Sequence, residues 1–598
     1  MKKFDFPLAL YIPAELGLDG EAVFSVCAGA FEAAQTPAAS HVVFEKDISI
    51  KPQGCKIKSA DSFLTVFYGD GAGAFYALVT LWQIYKTEGS LKIDEIEDAP
   101  DILNRGFMLD ISRGKVPTLS ALKNLADLLA HFKYNQIQLY IEGFSFLYPS
   151  FADYCDESCA LTAEELCELD RYCRVRFIDL VPNQNSLGHM APWLAKKEFA
   201  PLAECEGGFT YGNFTVPPTT LDPDDRKSLR LVGAMMDDLL PCFSSKKFHA
   251  GLDEPFELGR GKSKDKDLKQ LVSKYITELN AMSNSRGKEM MIWADTVHRF
   301  GCTDVKLPDN IVFMEWGYEK EYSFGSRCKA LADAGKRFYV CPGTSSWLSF
   351  LGLTDCMLKN IDNAICAGIE NGAEGILLTD WGDGNHMQYM PVSYPAVVYC
   401  GMRAWNSQAF ISERELANAL DALVFEDENR VMGALALDAG KYHLYEEFLL
   451  PCRTIAYTVY QNGIDSLEKF DSSLKFTAML IKIMAAEEVS AAFPLVNMSI
   501  NTEKTQELLK FLEGIKKRLA SARMRCADSV TVAGEFENAV ETVMLFTEYR
   551  ECLARGKSVS YLNERIYAAA ERHKKLWLAR NKPSGLEASV CQMIKFIK

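Results

Sequence analysis

Two adjacent carboxylates end the segment K-F-H-A-G-L-D-E-P, residues 247–255. Asp253 and Glu254 follow an apolar run, with His249 and Gly251 just before them. Side-by-side carboxylates repel each other where a buried strand ends, so their placement needs a chemical reason. Carboxyl groups act in enzymes as general acids and bases, and they accept hydrogen bonds from substrates. The pair therefore predicts a site in which one carboxyl transfers a proton and its neighbour binds a different substrate group.

Further polar and aromatic residues stand where other apolar segments finish. Singly, each has a structural explanation, since a strand-ending Asp often caps a helix and Arg113 could simply pair with Asp110. Their shared position at segment ends supports the hypothesis, because strand ends that meet on one face would gather these side chains. The candidate site residues of this kind are Arg113, Glu142, Gln184, His189, Trp293, Asp295, Trp316, Trp381 and Asp383.

The elements that must position these residues are apolar, β-rich segments between about residues 101 and 410. The first is N-R-G-F-M-L-D-I-S and the last is G-I-L-L-T-D-W-G, with mostly amphipathic helical patterns between successive segments. Eight strands that alternate with helices over about 300 residues predict an α/β fold with a (β/α)8 TIM barrel. In such a barrel the strand ends converge on the face that holds active sites. The long connection after the third strand is expected to form a lid or binding loop.

Different patterns flank the barrel. Residues 1–100 predict a small α/β domain, residues 101–410 the barrel, and residues 411–598 a helical C-terminal domain. In the first domain, G-D-G-A-G-A (residues 69–74) matches a dinucleotide-binding pattern, but a proline and a new architecture follow, which favours a plain turn into a helix. The helical tail could cap the barrel, form a dimer interface or add a wall to the pocket.

Composition argues against several classes of partner. The 598 residues carry a net charge of −15, whereas nucleic-acid binding rests on clustered Lys and Arg. No apolar run approaches the roughly 18 residues of a membrane helix, so no membrane partner is expected. The eighteen cysteines are scattered, often in apolar segments, as reduced core thiols are. Asp5, Pro7 and Pro13 interrupt the N-terminal apolar stretch, which predicts an edge strand rather than a secretion signal and hence a cytoplasmic protein.

Tryptophans are concentrated in the barrel region, which holds six of the eight. Aromatic planes beside carboxylates and an arginine suit an uncharged polyhydroxylated ring, because its apolar faces stack and its hydroxyls meet charged groups. A sugar fits this description. Most glycosidases, however, place two carboxylates about 5 to 9.5 Å apart across the scissile bond. Neighbours such as Asp253 and Glu254 cannot easily straddle a bond in that way.

The motif H-x-G-x-D-E, from His249 to Glu254, resembles the signature of glycoside hydrolase family 20, the β-N-acetylhexosaminidases. R-G-F-M-L-D-I-S-R, ending at Arg113, resembles the family's first-strand motif, and the small α/β domain ahead of the barrel matches too. The resemblance covers residues 1 to about 410 and leaves the helical tail unexplained. It implies a substrate-assisted mechanism, an exception to the two-carboxylate scheme, in which the 2-acetamido oxygen attacks the anomeric carbon and forms an oxazolinium intermediate.

The resemblance also implies roles for individual residues. Asp253 would accept the acetamido N–H, and Glu254 would protonate the leaving oxygen and then activate water, so no protein nucleophile, metal or cofactor is needed. Arg113 would hold sugar hydroxyls. Tyr318 is the candidate to support the acetamido oxygen, although the spacing does not distinguish it from a surface tyrosine. The other substrate-binding candidates are Trp347 and Trp381, which would wall the acetamido pocket, and Glu142, Gln184, His189, His249, Trp293, Asp295, Trp316 and Asp383.

Three motifs depart from the family's usual pattern. The second-strand H-x-T-D-D-Q-x-W-R is replaced by Y-I-E-G-F-S-F, the third-strand E-I-D-x-P-G-H by N-Q-N-S-L-G-H, and the eighth-strand W-x-E by W-G-D. These variants are similar to those of the intracellular hexosaminidase D-like branch. They leave the contacts to O4 and O6, and so the choice between GlcNAc and GalNAc, open.

The leading hypothesis is an exo-acting, retaining β-N-acetylhexosaminidase that removes terminal GlcNAc or GalNAc from small glycans. One alternative is a glycosidase on the same fold for a modified or branched amino sugar, given the altered second and third strands. Another is a non-catalytic sugar-binding protein, which the presence of both Asp253 and Glu254 disfavours. A homodimer is kept as the favoured oligomeric state, although the sequence does not decide it.

Overall fold

The computed structural model describes residues 2–60, 62–211, 214–466, 468–470, 472–473 and 501–597. Its N-terminal region contains eight strands and two longer helices. These are β1 (Lys2–Asp5), β2 (Leu8–Leu10), α1 (Gly20–Val26), β3 (Phe31–Ala33), β4 (Val42–Lys46), β5 (Cys55–Ser59), β6 (Leu64–Tyr68), α2 (Gly71–Glu88), β7 (Ser90–Ile93) and β8 (Glu95–Asp98). Six strands form a sheet in the order β3-β2-β4-β6-β5-β8, and β1 pairs with β7 in a separate ribbon.

The prediction that the N-terminal apolar stretch forms an edge strand is wrong for β2. That strand lies between β3 and β4, parallel to both. Leu8 and Leu10 are each only 1% exposed, so their burial places the strand inside the sheet. Pro7 and Pro13 lie just outside it and remove no hydrogen bond from its ladder.

The glycine-rich segment before α2 forms a turn into a helix, as predicted. Asp70 caps the helix by accepting the Gly73 backbone N–H at 2.8 Å. A Cβ on Gly73 would overlap the carbonyl oxygen of Gly54, so this close approach requires glycine. The glycines are therefore explained by packing against the preceding loop.

Eight parallel strands close into a barrel, which confirms the predicted α/β TIM-barrel fold. The strands pair in chain order, and the last pairs with the first. They are β9 (Asn104–Asp110), β10 (Gln136–Ile141), β11 (Asp179–Gln184), β14 (Lys247–His249), β15 (Glu289–Trp293), β16 (Val312–Trp316), β17 (Arg337–Cys341) and β18 (Gly375–Asp380). A hairpin of β12 (Phe209–Tyr211) and β13 (Phe214–Val216) lies in the long connection after β11.

Helices follow the barrel strands and surround them. The amphipathic patterns predicted for residues 119–131 and 163–174 form α3 and α4, each capped by a threonine side chain at its N-terminus. The helices of this region are α3 (Leu119–His131), α4 (Ala163–Arg174), α5 (Ala191–Leu194), α6 (Arg226–Leu239), α7 (Leu268–Ser285), α8 (Asp295–Arg299), α9 (Phe324–Asp333), α10 (Thr354–Glu370) and α11 (Tyr394–Trp405).

The fourth barrel strand is shorter than its apolar pattern predicts. β14 ends at His249, and its only residue paired with β11 is His249, opposite Asn183. The backbone then turns through Gly251 and Leu252, both with positive φ, which a strand cannot contain. Asp253 and Glu254 therefore lie in a loop at the barrel mouth and not on the strand itself.

The region beyond the barrel is helical in its described part, as predicted. Its helices are α12 (Glu413–Leu423), α13 (Met432–Ala439), α14 (Ile455–Asn462), Thr502–Leu519, Ser529–Ala554, Asn563–Arg580 and Leu586–Ile594. The backbone N–H of Thr118 donates to the Arg580 carbonyl at 2.9 Å, and that of Lys582 donates to the Val116 carbonyl at 2.8 Å. The helical region is thus bonded directly to the barrel. We propose that the barrel ends and the helical region begins near residue 410. We likewise propose that the N-terminal domain ends and the barrel begins near residue 100.

No helix in the described ranges has both the length and the apolar character needed to cross a lipid bilayer. All eighteen cysteines are free thiols, and ten of them are buried. This agrees with the expectation of reduced thiols in the core.

Candidate active site

The loop after β14 carries both adjacent carboxylates on a left-handed backbone. The φ angle is +68° at Gly251, +75° at Leu252 and +50° at Glu254. A Cβ on Gly251 would overlap Oδ1 of Asn185, so only glycine fits there. The same Oδ1 accepts the Leu252 backbone N–H at 3.2 Å. Asn185 therefore holds the turn that places Asp253 and Glu254 at the barrel mouth, in a conformation that non-glycine residues rarely adopt.

Asp295, which follows β15, holds Glu254 from the neighbouring strand. Its Oδ2 accepts the Glu254 backbone N–H at 3.0 Å, and its Oδ1 accepts the Trp316 indole N–H at 3.1 Å. Burial raises the pKa of Asp295 to about 6, against the opposing effect of the Glu254 N–H. Because both oxygens have protein donors, Asp295 is better placed to orient Glu254 and Trp316 than to bind a sugar hydroxyl.

The His189 imidazole contacts three carboxylate side chains. Its Nδ1 lies 3.0 Å from Oε1 of Glu142, while its Nε2 lies 3.3 Å from Oδ2 of Asp253 and 3.2 Å from Oε2 of Glu254. The preceding Gly188 lies against the carboxylate loop, and a Cβ there would overlap the Asp253 carbonyl oxygen. The Gly-His pair after β11 thus brings the imidazole into contact with the loop after β14.

Burial and close charges shift the pKa values of these groups in different directions. Burial raises the pKa of Asp253 to about 7, with His189 opposing and Asp295, Glu254 and Glu142 adding to the increase. Burial would also raise the pKa of Glu142, but Arg113 and His189 lower it to about 2. Burial disfavours the imidazolium of His189, yet Asp253 and Glu142 raise its pKa well above the ordinary value. The cluster therefore holds a charged Glu142 and a charged His189 beside an Asp253 that titrates near neutral pH.

Arg113 does more than pair with Asp110. Its Nη1 lies 2.6 Å from Oδ2 of Asp110, and its Nη2 lies 2.7 Å from Oε1 of Glu142 and 3.7 Å from Oδ1 of Asp383. The guanidinium also lies over the Trp381 ring, 5.4 Å from its centroid. The structure therefore brings Arg113, Glu142 and Asp383 together, from the loops after β9, β10 and β18.

Aromatic residues form one connected wall beside these charges. Trp316 and Tyr318 stack with centroids 5.2 Å apart, and the Trp381 indole N–H donates to the Tyr318 hydroxyl at 2.7 Å. Trp347 meets Tyr318 edge-on at 5.0 Å, and Trp293 meets Trp381 at 5.8 Å. Tyr318 is thus half-buried and contacts three tryptophans of the wall, which favours a place in the site over an isolated surface position.

Two predicted site residues instead bond within the barrel. Gln184 is buried, bonded through its Oε1 to the Tyr148 hydroxyl, and its Nε2 donates to the Asn185 carbonyl at 2.9 Å. His249 Nδ1 lies 2.8 Å from Asn183 Nδ2, and the His249 ring packs on Trp293 at 4.3 Å. Burial lowers the pKa of His249 to about 3, so it stays neutral. Both side chains are therefore better explained as supports beneath the carboxylates than as sugar contacts.

Sequence reasoning missed three residues that shape the site. The Tyr140 hydroxyl donates to Oε1 of Glu142 at 2.9 Å and accepts from Nδ2 of Asn185 at 2.6 Å. The Trp193 indole N–H donates to the Glu142 carbonyl at 3.0 Å, which ties the long connection after β11 to the mouth. Tyr140 was detectable in principle, because residues two apart on a strand face the same side and it precedes Glu142 by two.

Most of the barrel is similar to a known protein family. Residues 104–366 match the model described as "Glycosyl hydrolase family 20, catalytic domain". This part of the chain is therefore similar to the catalytic domain of that family. The matched range holds Asp253, Glu254 and His189, whereas Trp381 and Asp383 lie beyond its end, in the last part of the barrel.

Several named proteins are similar in sequence to part of this chain. A beta-hexosaminidase from Akkermansia muciniphila is 26% identical over 281 residues, which cover 41% of this chain and 54% of that protein. Hexosaminidase D from Homo sapiens is 32% identical over 112 residues, which cover 19% of this chain and 21% of that protein. The chain spans about half the length of the curated beta-hexosaminidases it matches.

A solved structure has a similar fold over much of this chain. It is the exo beta-N-acetylglucosaminidase from Vibrio harveyi in complex with N-acetylglucosamine, with a TM-score of 0.56 and 17% sequence identity. The alignment covers 73% of this chain and 75% of that chain. At this identity the likeness shows the fold alone.

Proposed function

We propose that the protein is an exo-acting, retaining β-N-acetylhexosaminidase that hydrolyses terminal β-linked GlcNAc or GalNAc of small glycans. The main support is the pair Asp253 and Glu254, both in contact with His189 inside a family 20 domain. The names of the relatives, a beta-hexosaminidase and an exo beta-N-acetylglucosaminidase, agree with this proposal. The free thiols suit a reducing compartment, and we propose the cytoplasm as the location.

Asp253 is suited to bind the acetamido group. Its Oδ2 lies 3.3 Å from His189, while its Oδ1 is buried and has no hydrogen-bond partner within the described residues. A buried acceptor without a partner is costly, so a substrate N–H aimed at this oxygen would be bound with a clear gain. The Asp253 carboxylate would then direct the acetamido oxygen towards the anomeric carbon, and Tyr318 would support that oxygen from the aromatic wall.

Glu254 is suited to transfer the proton. Its carboxyl would protonate the glycosidic oxygen while the acetamido oxygen bonds to C1 and the C1–O bond to the aglycone breaks. The resulting oxazolinium carries a positive charge that the Asp253 carboxylate stabilises. Glu254, now ionised, would take a proton from the water that attacks C1, which restores the acetamido group and retains the β configuration. Glu254 Oε2 lies 3.2 Å from His189 Nε2, and this contact orients the carboxyl group within the site.

Release of p-nitrophenol from matched β-GlcNAc, β-GalNAc and β-glucose glycosides tests this function. We expect hydrolysis of the two acetamido sugars only, and we expect Glu254→Gln to lower kcat by about 10²- to 10⁴-fold because the general acid is lost. The matched control is Glu278→Gln, which changes a glutamate that pairs with Arg226. Glucoside cleavage at a similar rate would contradict the acetamido mechanism, and full activity of Glu254→Gln would contradict the acid assignment.

A further inference from the structure

The loop after β18 connects the candidate sugar site with the C-terminal helical region. It carries Trp381 and Asp383 and continues through Gly384, Asn385 and His386, whose φ angles are +71°, +79° and +49°. Asn385 and His386 are not glycines, so this run of left-handed residues persists only where surrounding contacts hold it. The turn brings the Asp383 carboxylate to 3.7 Å from Arg113.

Helix α14 supplies such a contact through Tyr457. The Tyr457 side chain is fully buried. Its hydroxyl donates to two backbone carbonyl oxygens, that of Gly384 at 2.6 Å and that of Asp383 at 3.3 Å. Gly384 lies close to the helix, since a Cβ there would come within 3.1 Å of the Tyr457 ring. The ring is held in turn by Phe350, with centroids 4.9 Å apart.

The beginning of α14 contacts a second loop of the site. Thr454 caps the helix with its side chain, and its backbone N–H donates to the Leu348 carbonyl at 3.2 Å. Leu348 directly follows Trp347, a member of the aromatic wall. At the next residue back, burial lowers the pKa of Arg453, and the nearby Asp383 carboxylate partly opposes this shift. One helix therefore contacts the loops that carry Trp347 and Asp383.

We propose that Tyr457 is a positioning residue that sets the place of Asp383 in the sugar pocket, so that the C-terminal helical region takes part in substrate recognition. This inference rests on the proposed function. Tyr457 does not reach the reacting atoms, and Asp253 and Glu254 are held by other residues, Asn185 and Asp295. Loss of the Tyr457 hydroxyl should therefore weaken the binding of the sugar hydroxyls and leave the chemical step nearly intact.

A double-substitution cycle tests this role. We expect Tyr457→Phe to raise KM for p-nitrophenyl β-GlcNAc about tenfold, the effect of one lost buried hydrogen bond, with kcat changed less than about threefold. In an Asp383→Asn background, Tyr457→Phe should raise KM by no more than about twofold, because the group it positions is already gone. The ratio of β-GlcNAc to β-GalNAc turnover should also change. Tyr549→Phe is the matched control, since Tyr549 packs against Phe596 elsewhere in the helical region.

The outcomes separate the possible failures. A wild-type protein that is silent on both acetamido sugars would overturn the proposed function and this inference together. An active wild type with equal KM values for Tyr457→Phe and Tyr549→Phe would overturn the inference alone. Equal effects of Tyr457→Phe in the presence and absence of the Asp383 carboxylate would also overturn it, because a merely structural role adds independently. Melting temperatures of all variants identify any loss that comes from unfolding.

Discussion

At the scale of residues, the arrangement of charge around Asp253 explains why two acidic neighbours tolerate each other. His189 lies within 3.3 Å of Asp253, Glu254 and Glu142, and its raised pKa keeps it cationic among three carboxyl groups. Arg113 compensates Glu142 from the other side. Asp253 and Glu254 thus differ in environment. Asp253 is deeply buried, whereas the Glu254 backbone N–H donates to Asp295.

The raised pKa of Asp253 leads to a prediction about pH. In the proposed mechanism the carboxylate form of Asp253 stabilises the oxazolinium charge, and with a pKa of about 7 this form increases as pH rises through neutrality. We therefore expect kcat/KM for p-nitrophenyl β-GlcNAc to fall about tenfold per pH unit below roughly pH 6.5. The measurement is a pH–rate profile with the melting temperature recorded at each pH. An acid limb centred near pH 4 would show that Asp253 titrates as an ordinary carboxyl.

At the scale of elements, the loop after β14 decides the geometry of the pair. Gly251 is the point at which this loop meets Asn185, whereas a Cβ on Gly287, which also has positive φ, would meet no other atom within 4 Å. We expect Gly251→Ala to lower kcat/KM by at least about 100-fold, because the overlap with Asn185 displaces both carboxylates. The matched control Gly287→Ala should cost only the backbone strain of about 1–2 kcal/mol and leave activity unchanged. Near-equal activity of the two variants would contradict this role of the turn.

The sequence allowed the barrel to be predicted, along with most residues that line the candidate site, for a definite physical reason. Apolar segments such as G-I-L-L-T-D mark buried parallel strands, and their polar ends mark the mouth. The early end of β14 was not predictable, since the apolar pattern runs on to Leu252 while the backbone turns. Asn185 and Tyr140 were missed because their roles depend on contacts between strands, which a single sequence does not display.

At the scale of the whole molecule, one continuous hydrophobic core extends from the N-terminal sheet through the barrel to the last helices, from Leu8 to Phe596. We expect a single cooperative thermal transition, because no part can unfold without exposing apolar surface of its neighbour. Calorimetry and tryptophan fluorescence should give coincident midpoints. Two separated transitions would indicate that the helical region melts by itself. The homodimer stays a prediction, which a mass measurement in solution tests.

The contacts between distant parts of the chain also bear on how the molecule is made. Thr118 at the start of α3 bonds to Arg580, 462 residues later, and Tyr457 bonds to Asp383, 74 residues earlier. A ribosome therefore releases the whole barrel before the helices that complete its mouth. Contacts across such separations close slowly, and the nascent barrel exposes apolar surface until they form. The candidate site is then completed late in synthesis, after the barrel strands have already been made.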